Sequence, residues 1–237
     1  VWNDSYDVLN RVNSLLVKLP EVADLNEEDR NAISGQLLFI RALIHFKLVI
    51  MFGPVPVKTL PTTGVDASLD VARDPVEAVY EQIIADLEDA RAKAGTQENV
   101  LASSSAASAL LARVYLYTEQ WTKAVDLATE VIDSEEFEID PDYNNLFSGA
   151  SSKEIIFQVE FNSQDRNSLA YYFYPTSQQG RNEFSPSQSM LDAYEDEDTI
   201  RQNASIADEG YAYKYRDITN GSDNVTILRL AEMYLIR

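Results

Sequence analysis

The 237-residue sequence contains no cysteine. That excludes disulfides, thiolate nucleophiles and thiolate metal sites. It leaves the redox compartment open, because a cysteine-free chain is at home in either. His45 is the single histidine, so a Ser-His-Asp triad has one candidate base and a two-histidine metal site is impossible. The eight glycines never come closer than 11 residues (Gly53 to Gly64, Gly210 to Gly221), which rules out a glycine-rich phosphate loop. Basic residues are scarce: 19 Lys and Arg stand against 39 Asp and Glu, a net charge of −20. Such a surface repels phosphate backbones and anionic headgroups, so no nucleic acid partner is expected. The longest apolar run, 37–52, is interrupted by Arg41, His45 and Lys47. It reads as too charged to span a bilayer and lies too far inside the chain for a signal peptide.

What is present is a core. At 45% hydrophobic and 10% aromatic residues, the chain is long enough for one large domain or two small ones. Trp2, Tyr6, Leu9, Asn13 and Leu16 form a helical stripe that stops at Pro20. A second helix begins near Asn26, an N-cap, and carries Ile33, Leu37, Ile40, Ile44, Leu48 and Met51 to a stop at Gly53-Pro54. Residues 55–73 read as a long loop. Asp74-Pro75-Val76-Glu77 opens a third helix, with Asp74 as N-cap and Pro75 at the first helical position. Helices over 103–118 and 121–133 follow so closely that they must pack as an antiparallel hairpin, with Trp121 closing it.

Beyond residue 134 the pattern changes. Residues 154–161 are short and β-rich, and 187–194 read as a short helix. Tyr211, Tyr213 and Tyr215 alternate as in a strand, and 225–237 reads as a further helix. The element Leu111-Ala112-Arg113-Val114-Tyr115-Leu116 returns as Leu230-Ala231-Glu232-Met233-Tyr234-Leu235. With Ala124, the first copy fits the tetratricopeptide pattern, although the leading Trp is Ser108 here and the later Phe is Ala128. Two unrelated helices with similar cores are the other reading. The expected fold is mainly α, with helical hairpins 33–52 with 74–93 and 103–118 with 121–133 side by side, irregular loop insertions and a few short strands.

The chain resembles the SusD/RagB family of outer-membrane nutrient-binding lipoproteins. Trp2, Tyr6 and Asn13 are similar to its early helix. Gly35, Phe39, Arg41-Ala42, Phe46, Leu48-Val49, Phe52-Gly53 and Val55-Pro56 are similar to its most recognisable segment. Val79-Tyr80-Glu81, Asp86-Leu87, the two repeat copies, Trp121, Glu154 to Phe157 and Asp198 with Arg201 follow in order. The resemblance implies a SusD-like α-α superhelix over 1–237, with the hairpin core at 27–134, a loop- and strand-rich insertion at 135–224 and the start of a further repeat helix at 225–237. Family members are typically longer, so the chain is expected to be a fragment lacking both ends. The resemblance also implies a surface-exposed outer-membrane location, a lipid anchor outside this chain, an oligosaccharide or other nutrient ligand, and a SusC-like TonB-dependent transporter as partner. One His, no Cys, no clustered glycines and no isolated carboxylate pair lead to the expectation of no hydrolase activity on glycans, and no cofactor is expected.

The residues themselves offer one candidate surface. Segment 162–175 is non-helical in pattern and crowded with amides, Arg166, Asn167, Tyr171, Tyr172 and Tyr174. Aromatic faces and planar hydrogen-bonding groups suit the CH face and hydroxyl rim of a sugar. If the segment is extended, Tyr172 and Tyr174 share one side. The rival reading is a loop whose tyrosines pack onto the helical body. Arg41, beside Ala42, is expected to pair with a carboxylate, His45 to be a packed imidazole, and Arg229 with Glu232 to be a surface pair one turn apart. The run Glu195-Asp196-Glu197-Asp198 reads as solvated, with Asp198 reaching Arg201, rather than as a calcium site or glycosidase carboxylates. Glycan capture is the leading function; a tetratricopeptide-type adaptor for a protein or peptide is the alternative, and a carboxylate hydrolase a distant third.

Overall fold

A computed structural model describes residues 1–64, 71–96, 98–149 and 151–237. In chain order the elements are α1 (Trp2–Lys18), α2 (Glu27–Phe52), α3 (Val76–Lys93), α4 (Ser104–Tyr117), α5 (Trp121–Asp133), β1 (Ile155–Val159), α6 (Leu169–Phe173), α7 (Gln188–Leu191), α8 (Thr199–Ser205), β2 (Val225–Arg229) and α9 (Leu230–Ile236). They fall into two compact units: Val1–Glu136 with Leu230–Arg237, and Phe137–Arg229. The fold is mainly α-helical.

In the first unit each helix packs on the next from α1 to α5, and α9 closes the series against α5. The hairpins α2–α3 and α4–α5 are those expected from the apolar stripes. Asn26 caps α2 by accepting from the Asp29 N–H at 2.8 Å, and Ser103 caps α4 by accepting from the Ala106 N–H at 3.0 Å. By length and composition α2 could cross a membrane. Here most of its apolar residues are core: Leu38, Phe39, Ala42, Phe46, Leu48 and Val49 are buried between α1 and α3, whereas Ile50 and Met51, the last residue of the expected stripe, are exposed. A Cβ on Gly35 would lie 2.5 Å from the Ala94 backbone nitrogen, so only glycine lets α2 approach the end of α3 this closely.

Arg41 does pair with a carboxylate, and the pair is buried. Its Nε and Nη2 reach the two Asp86 oxygens at 2.8 and 2.6 Å, and Nη1 reaches Asn13 Oδ1 and the Thr59 carbonyl. His45 is fully buried beside it. Nδ1 donates to the Arg41 carbonyl (3.0 Å), leaving Nε2 to accept the Lys58 N–H (3.2 Å). Helix α1 holds the same stretch from the other side. Tyr6 Oη donates to the Pro56 carbonyl, Asn13 Nδ2 to the Lys58 and Leu60 carbonyls, and Asn10 Oδ1 accepts the Thr62 N–H. The centre of the expected 55–73 loop, 65–70, lies outside the described residues.

Several expectations are corrected. Helix α3 starts at Val76 with Pro75 as its cap residue; Asp74 instead bridges Val55 and accepts the Val57 N–H. Trp121 is 56% exposed and does not close the α4–α5 turn. That turn is made by Glu119 in the left-handed region (φ 58°) and by the Gln120 N–H on the Tyr115 carbonyl. Residues 225–229 are a strand rather than the start of a helix, since Val225, Thr226 and Ile227 are β-branched and pair antiparallel with β1. Arg229 and Glu232 do not pair: Arg229 meets Glu154, and Glu232 meets Arg113 on α4. Tyr211, Tyr213 and Tyr215 form no strand; a single bridge, Ile206 to Ala212, is all that their stretch contributes.

Candidate functional site

The second unit gathers eight of the chain's 13 tyrosines. Its expected ligand segment is not extended. After β1 the chain turns on Asn162, whose Oδ1 accepts the Gln164 and Asp165 N–H groups. It then coils into the single turn and a half of α6. Helical spacing replaces alternation: Ala170 and Tyr174, four residues apart, face inward together, and Tyr171 faces out.

Tyr174 is therefore a core residue, 6% exposed, and not a presented face. Its ring lies 4.7 Å from Tyr211 and 6.3 Å from Tyr213, the tyrosines expected in a strand. Burial first, then neighbouring Tyr211, pushes its phenol well above the usual range. Arg166 and Asn167 serve as ties. Arg166 Nη2 donates to the Thr219 carbonyl at 2.5 Å, Asn167 Nδ2 to the Asp223 carbonyl, and the Asn167 N–H to the Gly221 carbonyl at 2.9 Å. They clamp the 217–223 turn, where Ser222 and the Asn220 N–H hold the Asp217 carboxyl down to about 2. Gly221 is required there: its φ is +62°, and a Cβ would meet the Asn167 carbonyl oxygen at 2.4 Å.

Tyr171 and Tyr172 remain as faces. Tyr171 is 41% exposed, and its ring meets Tyr172 edge-on at 5.7 Å. Phe184, 59% exposed, extends the row: it lies 6.3 Å from Tyr172 and 6.2 Å from Phe173, which stacks on Tyr215 at 6.2 Å and 21°. Phe184 arrives through a tight return of the backbone. Gln179 (φ 68°) and Asn182 (φ 51°) adopt left-handed conformations. The Arg181, Glu183 and Phe184 N–H groups bond to the Tyr171 and Tyr172 carbonyls. A Cβ on Gly180 would stand 2.1 Å from the Tyr174 oxygen, so the return closes only on glycine. Arg181 lies over the Tyr172 ring at 5.9 Å and pairs with Glu183.

Sequence spacing missed Phe184, Arg181 and Glu183, which follow the tyrosines by ten residues or so. The signal available was the lone phenylalanine of Arg181-Asn182-Glu183-Phe184-Ser185 in a polar stretch. The cavities compete poorly. A groove of about 440 Å³ in the helical unit is lined by Glu88, Arg91, Ser105, Ser108 and Glu130, with Arg91 already paired to Glu130. One of about 300 Å³ touches Trp2, Tyr6 and Lys58, but Tyr6 and Asn13 spend their polar atoms on the 56–60 backbone. Among the described residues no cluster of His, Asp and Glu could hold a metal.

The comparisons agree on a family. A model described as "Starch-binding associating with outer membrane", SusD-like, matches residues 1–116. SusD-like protein P2 of Formosa agariphila is 31% identical over 171 residues, which is 69% of this chain and 34% of that one. The chain belongs to the SusD-like family. Its fold extends the match to almost every residue. A laminarin-binding SusD-like protein superposes with TM-score 0.83 at 24% identity, over 99% of this chain and 65% of that one. A SusD superfamily protein from Parabacteroides distasonis does so with TM-score 0.82 at 25% identity, over 99% and 60%. This SusD-like chain spans about a third of the length of the curated relatives it matches.

Proposed function

We propose that this SusD-like protein is a non-catalytic receptor that captures oligosaccharide at the bacterial surface and hands it to a SusC-like TonB-dependent transporter. A lipid anchor outside residues 1–237 would hold it on the outer membrane. The observation that carries the reading is the aromatic row in which Tyr171 and Phe184 are exposed and the half-buried Tyr172 joins them, with Phe173 linking Phe184 to Tyr215. Rings held by a rigid backbone offer flat apolar area without an ordering cost, which favours stacking on sugar faces. The match to a starch-binding family and the likeness to a laminarin-binding protein support the same chemistry.

Calorimetry with gluco-oligosaccharides on Tyr172→Ala and Phe184→Ala tests the site. Each loss of a stacking ring, worth ~1 kcal/mol, should weaken binding about fivefold with folding unchanged. Parental affinity in both variants would move the site elsewhere. Repeated affinity capture from native membranes without a β-barrel transporter would remove the delivery step.

A further inference from the structure

Resting on the reading of this aromatic row as a glycan site, we infer that the site selects neutral sugars and rejects uronate or sulfated ones. The inference comes from the positive charges of the second unit. Residues 137–229 hold sixteen acidic side chains against seven basic ones. Each of the seven is already engaged among the described residues. Lys153 pairs with Glu138, Arg181 with Glu183, Arg201 with Asp198 and Arg229 with Glu154. Arg166 and Arg216 donate to backbone carbonyls, and Lys214 lies over the Phe147 ring.

Arg181 is the cation that touches the row, and it is held twice, by the Tyr172 face and by the Glu183 carboxylate. The far end of the row is no more welcoming to an anion. Burial, and then the nearby Asp223 carboxylate, push the Tyr215 phenol upward. An anionic sugar on this row would have to displace Glu183 from Arg181 or sit beside the pair uncompensated, in the field of a strongly acidic chain. A neutral sugar needs no such compensation: its CH face takes the exposed Tyr171 or Phe184 ring, and its hydroxyls can use the Glu183 oxygens and the Arg181 N–H groups that the pair leaves free. The Arg181–Glu183 pair thus acts as a charge filter beside a ring whose own face favours cations over anions.

The test is calorimetry on the intact protein with two probes of equal length, a neutral gluco-oligosaccharide and an oligogalacturonate, at ~20 mM and ~300 mM salt. The neutral probe is expected to bind at least ~10-fold more tightly at low salt, with the gap shrinking as salt rises. In Glu183→Gln, which frees Arg181 while keeping the side chain's shape, the low-salt gap should fall to ~3-fold or less. Equal or tighter binding of the acidic probe by the parent overturns the inference and leaves the glycan reading standing. A gap unchanged in Glu183→Gln overturns the role of the pair. Failure of both probes to bind overturns the glycan reading and the inference with it.

Discussion

Arg41 meets Asp86 through two parallel hydrogen bonds of 2.8 and 2.6 Å, across 45 residues of sequence, with both side chains buried. The pair joins α2 to α3, while the remaining Arg41 nitrogen joins both to α1 and to the Thr59 carbonyl. Removing one partner leaves a buried charge without compensation. Asp86→Ala should therefore cost about 3–5 kcal/mol of unfolding free energy by urea denaturation. Arg41→Met with Asp86→Leu should cost much less than that single change, because no orphaned charge remains.

His45 makes stability depend on pH in a defined window. Burial holds its pKa down at about 4, against 6.5 for a free imidazole. The unfolded chain therefore binds the proton that the folded chain refuses. The contribution is complete above pH 6.5 and is lost as pH falls from 6.5 towards 4, on the order of 3 kcal/mol in all. His45→Gln should flatten the urea midpoint between pH 7 and 4.5 relative to the parent. Equal slopes in the two proteins would refute the assignment.

Tyr174 and Trp121 should behave oppositely to their sequence-based roles. Tyr174→Ala removes a buried ring and should cost about 3–5 kcal/mol. Tyr174→Phe should be mild, since its hydroxyl reaches the Arg216 carbonyl only at 3.5 Å. Trp121→Ala should change thermal stability little, by ~0.5 kcal/mol or less, at a position open to solvent.

Gly180→Ala should disorder the aromatic row selectively. Its methyl group would collide with the Tyr174 carbonyl, so the return over 175–184 must open. Limited proteolysis should then cut this segment first while the helical unit stays resistant. Cleavage unchanged from the parent would show that the return adapts.

The helical hairpins were legible because periodicity reports directly which face is buried. Ile83, Leu87 and Ala90 on α3, and Ala124, Leu127 and Val131 on α5, are core as their spacing requires. Arg41 and Asn13 were marked by resemblance, and their geometry explains them as ties for the 56–60 stretch. The second unit was harder. Its tyrosines are held by turns, isolated bridges and one short helix, so no period runs long enough to read. Tyr172 and Tyr174 were placed on one side by assuming an extended chain, and α6 reversed that. Phe184 reaches Tyr172 only through a backbone return that depends on Gly180, a contact invisible to any local pattern. The 225–229 strand was missed because its partner lies some 70 residues earlier.

The chain leaves the helical unit after Glu136 and re-enters it at Leu230, where β2 runs into α9 without a linker. Folding order follows from that path. Contacts among α1 to α5 join near neighbours in sequence and can form as the chain emerges. Docking α9 on α5 instead closes a loop of more than 90 residues, an entropic cost of about 4 kcal/mol for a flexible chain. Structure formed within 137–229 shortens that loop, since pairing β1 with β2 brings residue 229 beside residue 155. Docking of the last helix is therefore expected to be the step most sensitive to the second unit, and a refolding phase that reports on Arg113 and Glu232 should slow when β1–β2 pairing is weakened.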